Sequence, residues 1–142
     1  MMNKPFLILK DTAGSLIIDE CGNTLSVAEK PQELINQRCL RHGSDLNGRI
    51  ASFRALLGIR QKAAVLISEI NDEIWFPTLS MKQKDCVWIR YDAIIDVRAS
   101  KPNECDIISM KGFAYHLDTD RRVINEQMKR CRRFLDLLHR EE

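Results

Sequence analysis

Apolar and polar positions alternate in short runs at both ends of the chain, and helical spacing takes over in two places. Residues 6–9 and 16–19 read as strands; Cys21-Gly22-Asn23 is a turn signal, and extended chain resumes at 25–28. Pro31 suits the first position of a helix running to about residue 40, and Gly43 is placed to stop it. Ser44 is the expected N-cap of a second helix, in which Leu46, Ile50, Phe53 and Leu57 share one face and Gly58 ends the run. A hairpin follows, 63–68 and 73–76 about Asn71-Asp72, then a polar loop over 78–85. Further strands are expected at 87–90, 93–97, 106–109 and 113–117, the last two joined at Lys111-Gly112.

A terminal helix over 119–139 carries Val123, Ile124, Cys131, Phe134, Leu135 and Leu138 on one face and Arg122, Lys129, Arg133 and Arg140 on the other. Together these elements predict an α+β fold: a curved antiparallel sheet or small barrel, a helical pair near 31–57 and a long C-terminal helix. One domain over 1–142 is expected, with no internal repeat or linker.

Composition narrows the class. At 142 residues and 44% hydrophobic, the chain can bury one sizeable core. It shows no secretory signal pattern and no apolar run of the ~20 residues a membrane span needs, so a cytoplasmic protein without membrane contact is expected. The five cysteines (21, 39, 86, 105 and 131) are scattered without a C-x-x-C pair, which fits buried thiols in a reducing compartment. Cys39-x-x-His42 lacks the second tight pair that a zinc site needs, and no cofactor or metal is expected. His42, Ser44 and Asp45 are neighbours in sequence, which is not how catalytic triads are assembled, so enzymatic activity is not expected.

Charge changes the picture more. The net charge is only +2, yet 38–62 holds Arg38, Arg41, Arg49, Arg54, Arg60 and Lys62 against the single acid Asp45. Such a local field attracts polyanions, phosphate above all. Arg38, Arg41, Arg49 and Arg54 are the leading DNA-contact candidates; Ser44 at a helix end, Lys62, and Lys82 and Lys84 of the polar loop complete the set. On a helical wheel Arg49 and Arg54 flank the apolar stripe on opposite shoulders, so one flat surface cannot take both. Gly48, inside a helix at a cost of ~1 kcal/mol, implies close approach by another part of the fold or by DNA. Aromatics make up only 6%, too few for a binder that stacks single-stranded bases.

The blocks Cys39-x-x-x-Gly43-Ser44-x-x-x-Gly48-Arg49, Phe76-Pro77-Thr78-Leu79-Ser80 and Cys86-x-Trp88-Ile89 resemble, in that order, the competence transcription factor (ComK) family of Gram-positive bacteria. The likeness is clearest over 38–89 and extends more weakly into the last helix. It implies a DNA-binding transcriptional activator that engages AT-rich duplexes largely through the minor groove, as dimers that pair into tetramers. This sequence departs from the longer members by ending soon after the final helix, at Glu142, which puts in doubt whatever regulation depends on a C-terminal tail in those members. Arginine-rich chemistry is compatible with this, because a planar guanidinium enters a narrow, strongly negative A-tract groove more readily than an ammonium. The alternative is a regulatory protein-interaction module of the same fold that does not bind DNA.

Overall fold

A computed structural model of the chain describes residues 3–140. Its order is β1 (Pro5–Lys10), β2 (Ser15–Asp19), β3 (Thr24–Val27), α1 (Pro31–Arg41), α2 (Leu46–Leu57), β4 (Val65–Ser68), β5 (Glu73–Pro77), β6 (Val87–Arg90), β7 (Ile94–Ala99), β8 (Cys105–Ser109), β9 (Ala114–Leu117) and α3 (Arg121–His139). The fold is α+β, as the hydrophobic periodicity predicts. It is not a barrel. One antiparallel sheet has the order β3-β2-β1-β6-β5-β4 and a second has β7-β8-β9, and both stay open. The chain leaves the first sheet through a short 3-10 turn, Tyr91–Ala93, and that change of direction is why β7 does not extend it.

Strands β4, β5 and β6 are buried along their whole length, as their apolar runs require, with Ser68, Glu73 and Arg90 as buried polar ends. The helices α1 and α2 pack on β4, and α3 packs on β5 and β7. Phe53 of α2 and Phe134 of α3 meet with ring centroids 5.1 Å apart, tying the middle helix to the last.

An internal repeat, not visible in the sequence, organises the fold. From Ser15 to Cys105, from Thr24 to Ala114 and from Pro31 to Arg121 is in each case a step of 90 residues, so β1-β2-β3-α1 and β7-β8-β9-α3 are two versions of one unit. Even the irregularities match. β1 is bulged between Pro5 and Leu7, and β7 between Ile94 and Asp96. The turns after β2 and β8 also share their hydrogen bonds. Gly22 (φ 89°) and Gly112 (φ 88°) occupy the left-handed position, and their amides donate to the Asp19 and Ser109 carbonyls at 3.0 and 2.9 Å.

Different side chains close the two turns in the same way. Asp19 Oδ1 accepts the amides of Cys21 and Asn23, and Ser109 Oγ accepts those of Lys111 and Phe113. The turns also abut: Ser109 Oγ donates to the Glu20 carbonyl, and a β-carbon on Gly22 would lie 2.6 Å from the Phe113 ring. Gly22→Val is therefore expected to lower stability by about 2–4 kcal/mol, through strained backbone and a clash at once, as read by urea unfolding. A loss under 0.5 kcal/mol would show that the two turns are not packed as described.

Candidate nucleic-acid interface

Two loops and two helices build a strongly cationic surface. Gly58 (φ 67°) ends α2, its amide donating to the Arg54 carbonyl at 2.8 Å, and turns the chain back. Arg54 Nε then donates to the Arg60 carbonyl at 2.9 Å, which fixes the bend. From α3, the buried Gln127 pins this bend to the end of β5: its Nε2 donates to the carbonyls of Lys62 at 3.0 Å and Pro77 at 2.8 Å. From α1, Gln32 Nε2 donates to the Met81 carbonyl at 2.8 Å and holds the 78–85 loop on the other side.

The result is an open groove lined by Ile50, Arg54, Arg60, Lys62, Pro77, Met81 and Lys82, among others, with no acid in its lining. The cationic band continues past Lys82 to Lys10, Lys30 and Lys84, with Glu33 among them, and past Lys62 to Arg122 and Arg130, with Glu126. Among the described residues no ion pair engages Lys10, Lys30, Arg54, Arg60, Lys62, Lys82 or Lys84. Unpaired cations of this kind are free to meet phosphate without first losing a protein partner.

The candidates read from sequence are divided by this geometry. Arg54, Lys62 and Lys82 line the groove and Lys84 lies beside it. Arg41 is exposed in the last turn of α1, about 13 Å along the axis from Gln32 at the groove end. Arg38 is turned inward instead: its Nη2 and Nε reach Glu73 Oε2 at 2.6 and 3.0 Å. Arg49 is also folded in, its side chain only 14% exposed, with Nη1 3.3 Å from Glu69 Oε1 and Nη2 3.3 Å from the His42 carbonyl. The opposite shoulders of α2 thus lead to different sides of the molecule.

Ser44 is not the N-cap. That position belongs to Asp45, whose Oδ1 accepts the Gly48 amide at 2.7 Å; a carboxylate is the stronger acceptor at the positive end of a helix. A second free amide of α2, that of Leu46, is taken by Asn36 Oδ1 of α1 at 2.8 Å. Gly48 serves the cap as well, since a β-carbon there would come within 2.9 Å of Ser44 Oγ and 3.0 Å of Asp45 Oδ1.

Sequence reasoning left out Lys10, Lys30, Arg60, Arg122, Arg130 and Gln127. Arg60 was visible in the basic run, but the isolated lysines meet the groove only through topology. Polar Gln127 on the apolar face of α3 is the one local signal that pointed to a buried hydrogen-bonding role. Gln127→Leu keeps the volume but leaves two carbonyls without donors. It is expected to cost about 2 kcal/mol in chemical unfolding and to weaken any ligand of the groove.

Burial pushes the Cys39 and Cys105 thiols up to about 11, so both stay neutral and poorly nucleophilic at neutral pH. The class defined by fold and groove is a small α+β module presenting an open cationic surface. The chain belongs to the ComK protein family, whose sequence profile matches residues 1–141. It is 24% identical over 101 residues to the competence transcription factor of Bacillus subtilis (strain 168), a match covering 71% of this chain and 53% of that protein. The chain therefore matches about half the length of that curated relative. No solved structure matches.

Proposed function

We propose that this chain is a DNA-binding transcriptional regulator of the competence type, which binds AT-rich duplexes through the groove of Arg54, Arg60, Lys62 and Lys82. The acid-free lining of that groove is the observation that carries the reading, and family membership supports it. Lys62, Lys82, Lys84, Lys10 and Lys30 supply phosphate contacts along the strand. Arg54 and Arg60 bring guanidinium groups to the mouth of a narrow minor groove. Arg41 extends the contact only if duplex wraps the far end of α1. Arg38 and Arg49 are assigned to the fold, a reading supported by their ion pairs with Glu73 and Glu69. The active form is an oligomer, because one module of this size buries too little surface for tight specific binding. No helix among the described residues is long and apolar enough to cross a membrane.

The test is a titration of AT-rich and GC-rich duplexes over a range of salt. With four or more phosphate contacts, the log–log salt slope is expected near −4 or steeper, with AT-rich duplex bound about tenfold more tightly. Equal and negligible binding to both would overturn the reading in favour of a protein-interaction module. That second reading has its own observation, the acidic outer side of the small sheet. There His116 sits 2.7 Å from both Asp106 Oδ1 and Glu104 Oε1, with Asp118 at 3.7 Å. A face of that sign repels duplex and suits a basic protein partner.

Hydrogen bonds that the protonated ring donates to Asp106 and then Glu104 raise the His116 pKa above its ordinary 6.5. A raised histidine stabilises the fold below that ordinary value, and the contribution disappears as pH rises through the shifted one. His116→Asn is accordingly expected to remove a small loss of stability above neutrality, measured by urea midpoints from pH 6 to 9. A wild-type midpoint that is flat over that range would show that these contacts do not hold the proton.

A further inference from the structure

The internal repeat exposes an asymmetry between the two units. In the first, the outer edge of β1 is covered: Leu7, Ile8 and Leu9 pair antiparallel with Ile89, Trp88 and Val87 of β6. The bulge positions of β1 and β7 place Asp96, Val97 and Arg98 as the counterparts of those three residues. In the second unit β7 pairs with one strand among the described residues, β8, and no strand covers its outer edge. Phe6, the bulge residue of β1, is fully buried, whereas Ile95, its counterpart, is 63% exposed beside the half-exposed Met110. A strand edge that its structural twin covers, flanked by an exposed isoleucine, is an unfilled pairing site.

We propose that the free edge of β7 pairs antiparallel with β7 of a second copy of this chain, with Val97 opposite Val97 on the two-fold axis. The residues themselves select that occupant. In this register Asp96 of each copy stands opposite Arg98 of the other, so the edge is complementary in charge to itself and to no shifted version of itself. In the free chain Asp96 Oδ2 holds its own Arg98 Nε at 2.9 Å, and Oδ1 accepts the Val97 amide at 2.9 Å. Both contacts are released on pairing: the carboxylate turns to Arg98 of the second copy and the Val97 amide to a carbonyl across the axis. The paired sheet runs β9-β8-β7-β7-β8-β9, six strands with an antiparallel centre, which is the layout of the first sheet in this same chain. One six-residue edge is less than a standard interface, so the dimer forms in the micromolar range or weaker.

The test is sedimentation equilibrium of the whole chain without DNA, from about 1 to several hundred micromolar, which keeps its outcome separate from that of the DNA reading. Wild type is expected to dimerise. Asp96→Arg and Arg98→Asp should each raise the dimer dissociation constant at least about tenfold, because each places like charges opposite one another twice. The double variant Asp96→Arg with Arg98→Asp restores the pairing and should return to within about threefold of wild type. Both side chains are at least half exposed, so circular dichroism should show every variant folded. A wild type that remains monomeric throughout overturns the proposal. So does a dimer indifferent to both single reversals, or a folded double variant that fails to recover.

Discussion

Glu73→Ala is expected to lower the unfolding free energy by about 3 kcal/mol, roughly 10 °C in Tm, with the largest loss near neutral pH. Glu73 starts β5 in an otherwise apolar strand and is buried, yet three donors converge on Oε2: Arg38 Nη2 at 2.6 Å, Trp75 Nε1 at 2.9 Å and Arg38 Nε at 3.0 Å. Burial alone would raise its pKa. Hydrogen bonds from Trp75 and Arg38, with the fields of Arg38 and Arg90, outweigh that and hold the carboxyl below its ordinary 4.5. The sign follows. A depressed carboxylate stabilises the fold above the unfolded value of about 4.5, and the contribution is lost as pH falls through the lower folded value.

Alanine at 73 leaves a buried indole N–H and a half-buried guanidinium without an acceptor. The cost of those unmet groups exceeds that of the missing carboxylate itself. Urea midpoints of wild type and variant should therefore converge as the pH is taken from 7 towards 3. A variant within 0.5 kcal/mol of wild type at pH 7 would show that Arg38 is free after all and would return it to the DNA-contact set.

Most of the fold was legible in the sequence, because the signals that specify it are local. Pro31 and Gly58 bound the helical pair, Gly22 and Gly112 mark the two turns, and the continuous apolar runs of β4, β5 and β6 mark strands covered on both faces. The repeat was not legible, because what is preserved is geometry. Asp19 and Ser109 close equivalent turns with different acceptors, and the bulge places phenylalanine in one unit where isoleucine stands in the other. Little beyond Ile17-Ile18 with Ile107-Ile108, and Gly22 with Gly112, survives as identity. The site was half legible for a related reason. A run of arginines shows where charge is dense, but not which guanidinium finds a carboxylate, and Glu69 and Glu73 lie about 20 and 35 residues from Arg49 and Arg38 respectively. Only the pairing of β4 with β5, and the packing of β4 under α1 and α2, brings those acids within reach.

Reversing two groove charges together, Arg54→Glu with Arg60→Glu, is expected to weaken AT-rich duplex binding about a hundredfold and to reduce the salt slope by about 2. Each reversal removes a counterion-releasing contact and puts a carboxylate against phosphate, so the effect exceeds that of alanine. Stability should change little. Both side chains are unpaired among the described residues, and the bond from Arg54 Nε to the Arg60 carbonyl is a surface one worth about 1 kcal/mol. Arg49→Ala predicts the opposite pattern. Its guanidinium is mostly covered and holds the Glu69 carboxylate and the His42 carbonyl, so its loss should cost about 1–2 kcal/mol while duplex affinity stays within about threefold.

Measured side by side, the two substitutions separate a contact from a scaffold. If Arg49→Ala abolishes binding at unchanged Tm while the double reversal leaves affinity intact, the interface lies on the hairpin side of α2, with Arg38 and Arg49. The groove would then be an ordinary solvated surface. If both weaken binding only in proportion to lost stability, DNA contact lies elsewhere. The outer face of α3, where Lys129, Arg132, Arg133 and Arg140 gather around the single acid Asp136, becomes the surface to substitute next.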